Sequence, residues 1–570
     1  MITSFPPFLI FFLGAILASI TFGRTRSMIL LAVPVLGTLN LMQLGDGLQF
    51  QVQLFDYTLT LVRVDKLSFL FGLLFHIATL LGIIFALHTD DRLESTSGLV
   101  YAGSTIGAVF AGDMITLFIF WELMAVSSAL MILARRTEKS LRAAMRYLIF
   151  QVTSGVILLA GVLIWSYETG SIAFDYIGLD GLASWLIFLA FGIKCCFPFL
   201  HNWLTDAYPE ASPTATVILS AFSTKLAVYA LARAFPGTEV LVYIGATMAV
   251  FPLIFAAIEN DLRRVLAYAL INQLGFMVVG IGLGTALAIN GAVGYAFIYK
   301  GLLFMSMGAV LYRTGKVNVS DLGGLYKSMP WTATLCIVGA ASISSFPLFA
   351  GFVAKSMVIT AALSEGYPII WMALLFASAS VFPFVGIKIP FFAFFAHDSG
   401  IKTREAPHNM LIAMGLAAAL SIFIGIYPSF LYNLLPMPVD YEPYTAAHVL
   451  TQMQILLFAA LALVLLQKKG LYPPKLSGLN IDAEWIYRKA LPVAAVWVVS
   501  LGAYFRIGSL AQGKRWLERS FNQIYRHHGP NGVFARPRAT GSAAFWITVM
   551  LLVYLLLYFS GQLENLFLGF

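Results

Sequence analysis

Six ionisable side chains stand inside apolar runs where almost nothing else is charged: Glu122, Lys194, Lys225, Lys300, Lys355 and Lys388. A charged group at the centre of a bilayer costs on the order of 2.5–3.5 kcal/mol on insertion scales. Six together cost roughly 15–20 kcal/mol by the same scale, more than the net stability of a typical domain. Snorkelling to the interface or a structural ion pair accounts for single members, Lys388 above all, but not for the set. A lysine withdrawn from water holds its proton less tightly, and a nearby carboxylate restores the grip. Lysines so placed change protonation state when a neighbour's charge changes, as a proton relay requires. The chemistry suggested is cation movement, protons first, along a buried row.

The surrounding chain is built for a membrane. Of its 570 residues 60% are hydrophobic and only 11% charged, with a mean hydropathy of +0.86, which excludes a soluble globular domain because its surface needs more charge. Apolar segments predict spans near 7–22, 28–44, 66–88, 97–112, 114–134, 143–166, 182–199, 213–234, 239–258, 264–284, 288–312, 331–365, 368–395, 408–428 and 449–467. Two further runs, 490–505 and 543–560, flank a basic segment with Arg506, Lys514, Arg515, Arg519, Arg526, Arg536 and Arg538. Residues 48–64 alternate polar and apolar side chains, as a short β-hairpin does. The net charge of +8 reflects topology, not nucleic acid. With the N-terminus outside, Arg24/Arg26, Arg135 to Arg142, Arg263/Arg264, Arg313 to Lys327, Lys402/Arg404 and Lys468/Lys469 all fall inside. The first run lacks a basic flank before it, which argues against a cleaved signal peptide. Cys195, Cys196 and Cys336 lie in apolar runs with no metal-ligand spacing, so they read as small buried side chains.

Spacing carries a second argument. Lys194 and Lys225 are 31 residues apart on the seventh and eighth spans, and Lys355 and Lys388 are 33 apart on the twelfth and thirteenth. The offset is five spans, and an odd number inverts the second copy. Pro198 interrupts the seventh span, and Pro347 with Gly351 the twelfth. Paired broken helices in inverted halves point to an ion path. His201, Asp206 and Glu210 follow the first break and suit its mouth or a solvated turn. His76 reads as a core histidine, and Asp113 as the carboxylate that opens a helix.

Several stretches together resemble the antiporter-like subunits shared by Mrp-type cation/proton antiporters and respiratory complex I. They are Phe118–Ser127 (FIFWELMAVS), Lys194–Pro213 (KCCFPFLHNWLTDAYPEASP), Lys225–Leu231 (KLAVYAL), Asn260–Gly275 (NDLRRVLAYALINQLG), Lys300–Gly308 (KGLLFMSMG), Asp321–Pro330 (DLGGLYKSMP) and Phe346–Lys355 (FPLFAGFVAK). The resembling core runs from about Asp65 to Leu435, and the segments around Lys388 and Thr314–Thr332 look most like D-type Mrp subunits.

The resemblance implies an all-α polytopic fold of about 15–17 transmembrane helices, with inverted five-helix repeats at spans 4–8 and 9–13. It implies a coupled pair of Glu122 and Lys194, a central relay at Lys225 and Lys300, and a terminal exchanging group at Lys355, with Lys388, His201 and Tyr299 as possible additions. The family commonly carries a histidine one turn before the lysine equivalent to Lys300; here Ala296 stands there, with Tyr295 and Tyr299 beside it. The expected organisation is 1–96, N-terminal spans with a periplasmic hairpin; 97–396, the core; 397–480, additional spans; and 481–570, a C-terminal extension. The expected function is a proton-translocating, multi-pass subunit of a hetero-oligomeric sodium/proton antiporter in a bacterial inner membrane. It is not itself an enzyme and holds neither metal nor cofactor. The alternative is a proton-pumping subunit of complex I or a membrane hydrogenase.

Overall fold

The computed structural model describes residues 5–54, 57–297, 301–470, 482–483, 485, 490, 493–497, 510–529 and 537–567. The helices of the first unit are α1 (Pro7–Ile20), α2 (Gly23–Leu41), α3 (Lys66–Ala86), α4 (Arg92–Phe110), α5 (Met114–Leu133), α6 (Glu138–Thr169), α7 (Leu182–Lys194), α8 (Asn202–Ala207), α9 (Pro213–Ala221), α10 (Ser223–Ala234), α11 (Glu239–Ile258), α12 (Leu262–Leu283), α13 (Ala286–Phe297), α14 (Gly301–Thr314), α15 (Pro330–Ile343), α16 (Ala350–Ser364), α17 (Pro368–Val381), α18 (Lys388–Pro390), α19 (His408–Ile426), α20 (Pro428–Leu434) and α21 (Ala446–Lys468). Among the described residues ten helical stretches are long and apolar enough to cross a membrane, and three of the shorter apolar helices, Leu182–Lys194, Pro330–Ile343 and Ala350–Ser364, adjoin the broken spans. The protein is an all-α, multi-pass membrane protein.

Local chemistry sets the helix ends. Asp65 caps α3 in a reciprocal box with Ser68, Thr137 caps α6 the same way with Ser140, and Gly170 closes α6 in the left-handed conformation. The alternating segment forms the expected hairpin, β1 (Gly47–Leu54) paired antiparallel with β2 (Tyr57–Val64). It is fastened to the bundle where Thr60 N donates to Asp113 Oδ2 at 2.7 Å. Asp113 also caps α5 through Thr116 N, so its role is structural as read.

The two-fold repetition is written into the backbone. Phe174 N and Met114 N bond Gly112 O and Ile172 O at the start of α5; Val319 N and Leu262 N bond Asn260 O and Val317 O at the start of α12. Each helix is capped by the aspartate of its bridge, Asp113 or Asp261. The breaks match more closely still. Cys196 and Phe199 have φ of 64° and 68°, and Ser345 and Leu348 have 57° and 75°, an offset of 149 at both (345 − 196 and 348 − 199). Phe197 N bonds Gly192 O at 3.0 Å, and Phe346 N bonds Ala341 O at 3.0 Å, the same offset again.

This register corrects one inference from spacing. Lys194 ends the helix before its break, whereas Lys355 lies on the helix after its own. The two are not equivalent positions, although both adjoin broken helices. Two further spans differ from the continuous helices expected. The eighth is interrupted at Phe222, between α9 and α10. The thirteenth passes into π-helical turns at Phe382–Ile387 and Phe391–Phe395 on either side of α18.

The second unit covers Asp482–Phe570. Its helices are α22 (Leu510–His528), strongly amphipathic, and α23 (Pro537–Phe567), whose apolar stretch is Ala544–Phe559. The run 490–505 lies largely outside the described residues.

Candidate functional site

The first cluster forms where α5, α6 and the α7 break meet. Lys194, fully buried, donates from Nζ to Trp121 O at 2.8 Å, and its ammonium lies 4.2 Å from the centre of the Trp121 ring. The indole is held in turn: Nε1 donates to Ser154 Oγ at 3.0 Å, and that hydroxyl donates to Ala190 O at 2.8 Å. Glu122 is the next residue along α5. Its Oε1 is buried without a hydrogen-bond partner among the described residues and lies against Gly155, where any Cβ would land on it. Glu122 and Lys194 lie near enough to influence each other's charge without a direct ion pair.

Lys225 sits in the first turn of α10, just past the interruption at Phe222. Its Nζ donates to Ser220 O at 2.5 Å across that interruption. Cys195 and Cys196, from the α7 break, are among the groups near it. The break that follows Lys194 therefore also borders Lys225. Ser223 shares its hydroxyl with Tyr101 at 2.7 Å, while Thr224 Oγ1 beside it has no partner.

Lys355, 1% exposed, has among the described residues no hydrogen-bond partner for Nζ, which lies 4.5 Å from the centre of the Phe276 ring. Tyr295 makes a T-shaped contact with the same ring, with centroids 6.2 Å apart. Lys300 and Tyr299 lie outside the described residues. Lys388 is held differently from the rest. Its three ammonium hydrogens meet Ala256 O at 2.8 Å, Ala257 O at 2.9 Å and Glu259 O at 2.7 Å. These are the last carbonyls of α11, at the end that leads to Arg263 and Arg264, so Lys388 caps a helix near the basic face.

The mouth residues are pinned. Asp206 takes two bonds from Arg146, at 2.6 and 2.9 Å, and Glu210 lies 3.5 Å from Arg135. His201 is buried against Phe251, 4.8 Å between centroids. His76 is buried, with Nδ1 on Gly72 O at 2.7 Å. Arg263, read from sequence only as an inside charge, organises this segment. It is 2% exposed and donates to the carbonyls of Pro209 (2.8 Å), Ala211 (3.0 Å), Tyr208 (3.2 Å) and Ser212 (3.3 Å), and to Thr216 Oγ1. An arginine inside the first turn of a span, opposite a helix break, was the available signal. At the other end of α10, Arg233 binds Asp65 at 2.8 and 3.0 Å and Tyr229 Oη at 2.8 Å. Burial raises the Asp65 carboxyl, but the hydrogen bond and charge of Arg233 outweigh it and hold the group below its usual value. Among the described residues no three His, Cys, Asp or Glu side chains gather as metal ligands do.

Residues 111–382 match the family described as NADH:quinone oxidoreductase/Mrp antiporter, TM. Over those residues the core of this chain is similar to that family. Among curated relatives, the A-type Na(+)/H(+) antiporter subunit of Alkalihalophilus pseudofirmus is 31% identical over 426 residues, 65% of this chain and 53% of that protein. The D-type subunit from the same organism is 29% identical over 358 residues, 58% of this chain and 72% of that one. Hydrogenase-4 component B of Escherichia coli is 26% identical over 429 residues, 66% and 64%. This chain thus spans about half the length of the A-type relative. The likeness covers A-type as well as D-type antiporter subunits. In fold it is similar to a chain of the membrane-bound sulfane sulfur reductase, an archaeal respiratory complex (TM-score 0.71, 21% identity, 96% of this chain and 99% of that one). It is also similar to a chain of the Mrp complex from Dietzia sp. (0.68, 22%, 80% and 100%).

Proposed function

We propose that this protein is a proton-translocating membrane subunit of a multi-subunit sodium/proton antiporter, working beside other membrane subunits in a bacterial inner membrane. One observation carries the reading. Lys194, Lys225 and Lys355 are at most 4% exposed, and among the described residues none has a carboxylate within 4.0 Å. A permanently charged lysine so placed would have the cost of leaving water offset only by a carbonyl or a ring face. A lysine that gains and loses a proton as its neighbours change charge has a physical reason to be there. Separation of Glu122 from Lys194 alters the field at Lys225, and the change passes through Lys300 to Lys355. Lys388, saturated by three carbonyls, holds α11 and stands outside the relay.

A second reading, a proton-pumping subunit of a redox-driven membrane complex, is favoured by the similarity to hydrogenase-4 component B and by the reductase chain that matches 96% of this one. Proton and sodium flux in vesicles decides the matter, with wild type compared against Glu122→Ala and Lys225→Ala. Both variants are expected to lose flux while the protein remains in the membrane. Identical flux from all three would refute the relay. Proton flux driven only by a redox partner, with no sodium exchange, would select the second reading.

A further inference from the structure

A helix runs on across a residue only while each N–H finds the carbonyl four places back. In the eighth span that ladder stops at Phe222 and resumes where Leu226 N bonds Phe222 O at 2.9 Å. The bond that would close the gap, from Ser223 N to Leu219 O, is divided between two tyrosines. Ser223 N donates to Tyr101 Oη at 3.0 Å, and Leu219 O accepts from Tyr208 Oη at 2.8 Å. The next carbonyl, Ser220 O, goes to Lys225 Nζ at 2.5 Å. No proline or glycine lies between Thr214 and Ala234 to force the opening.

Both tyrosines are fully buried and are brought to the gap by distant parts of the chain, Tyr101 by α4 and Tyr208 by the end of α8. The backbone of Tyr208 is fixed, since its carbonyl accepts from Arg263 Nη2 at 3.2 Å and Thr216 Oγ1 at 3.0 Å. Tyr101 meets the gap twice more. Its hydroxyl lies 2.7 Å from Ser223 Oγ, and its ring lies 5.3 Å from that of Phe222, which stacks on Phe75 at 5.1 Å. The two tyrosines are not equal. Ser223 N has a single hydrogen, committed to Tyr101, whereas Leu219 O has two lone pairs and keeps room for a second donor beside Tyr208.

We propose that Tyr101 is a positioning residue for Lys225. By withdrawing the Ser223 N–H from the helix it keeps the eighth span open at Phe222, and the opening gives the lysine amine the Ser220 carbonyl. Tyr208 takes the other half of the divided bond. The inference rests on the relay reading and adds what sets the central lysine in place. In a continuous helix Thr224 N claims Ser220 O, and Lys225 loses its partner.

The test compares wild type with Tyr101→Phe in the intact complex, by electron cryomicroscopy and by proton flux in vesicles. The ring stays and only the hydroxyl is lost. Ser223 N is expected within about 3.2 Å of Leu219 O, Lys225 Nζ is expected off Ser220 O, and flux should slow at least about tenfold. Tyr208→Phe is expected to keep the gap open and to slow flux less than about threefold. Proline lacks the N–H, and its ring blocks the carbonyl four places back. Tyr101→Phe combined with Ser223→Pro should therefore reopen the gap and return flux to within about threefold of wild type, a rescue that loss of general packing around Tyr101 would not show. An unchanged gap in Tyr101→Phe, a closed gap with full flux, or a gap reopened by proline without recovered flux overturns the proposal. If one of these two variants does not assemble, the other decides alone. The structure reads the gap without any flux, so normal flux from Lys225→Ala would sink the relay reading separately.

Discussion

Replacing Lys388 by methionine separates a structural lysine from a conducting one. The substitution keeps most of the side-chain length and removes three charge-assisted hydrogen bonds of 2.7–2.9 Å to Ala256, Ala257 and Glu259. Each bond of this kind is worth about 1.5–3 kcal/mol, and a cation at a helix C-terminus adds up to about 2 kcal/mol when partly buried. Water reaches some of the freed carbonyls, so the net loss is about 3–5 kcal/mol, a large part of the usual 5–15 kcal/mol margin. The measurement pairs thermal unfolding of the purified protein with proton flux normalised to folded protein in vesicles. The midpoint should fall by on the order of 3–4 °C, while flux per folded molecule stays within about twofold, a change of only ~0.4 kcal/mol in barrier. Lys388→Arg should recover most of the stability, since the guanidinium also donates to carbonyls. An unfolding midpoint equal to wild type with flux abolished would refute the capping argument and return Lys388 to the relay.

Three other outcomes follow from the geometry. Gly155→Ala places a methyl where Glu122 Oε1 lies, so the carboxylate must move away and proton flux should fall about tenfold or more, with expression unchanged; full flux would mean that the position of Glu122 is irrelevant. Arg263→Gln strips the donors from the 208–212 segment and should destabilise the protein by on the order of 3 kcal/mol, read by thermal unfolding and by faster proteolysis of that segment. Asp65 has its folded pKa lowered by Arg233, so its stabilisation is present above the unfolded value of about 3.9 and lost as pH falls below it. Asp65→Asn should therefore unfold at a lower temperature than wild type at pH 7, and the gap should close as the pH drops below about 4; a gap of constant size would mean that Asp65 acts without its charge.

The legible parts of the molecule were those written in short stretches of chain. Hydropathy marks a span because some twenty consecutive residues must suit lipid, and Pro198 and Pro347 mark breaks because proline removes a helix hydrogen bond. The hairpin at 47–64 was legible from its alternation. The interruption at Phe222 was not, because no proline or glycine announces it, whereas the π-turns around Lys388 begin beside Pro383 and Pro390, which mark an irregularity without saying that it takes the form of wider turns. The register of the repeats lay in Cys195–Pro198 and Ser344–Pro347, which share only the dipeptide Phe-Pro; the lysines themselves are the more visible feature and suggest the wrong equivalence.

The amino-acid order by itself determined that ionisable groups enter the membrane, on which spans, and that two of those spans cannot be continuous helices. It could not say which lysines have their hydrogens committed. Lys194 meets a carbonyl 73 residues away, Lys388 meets carbonyls 129 to 132 residues away, and the amine of Lys355 meets none among the described residues. These three lysines have one chemistry in sequence and three environments in space. A carbonyl becomes available to a side chain only where a helix ends or breaks, and which side chain reaches it depends on how distant helices pack.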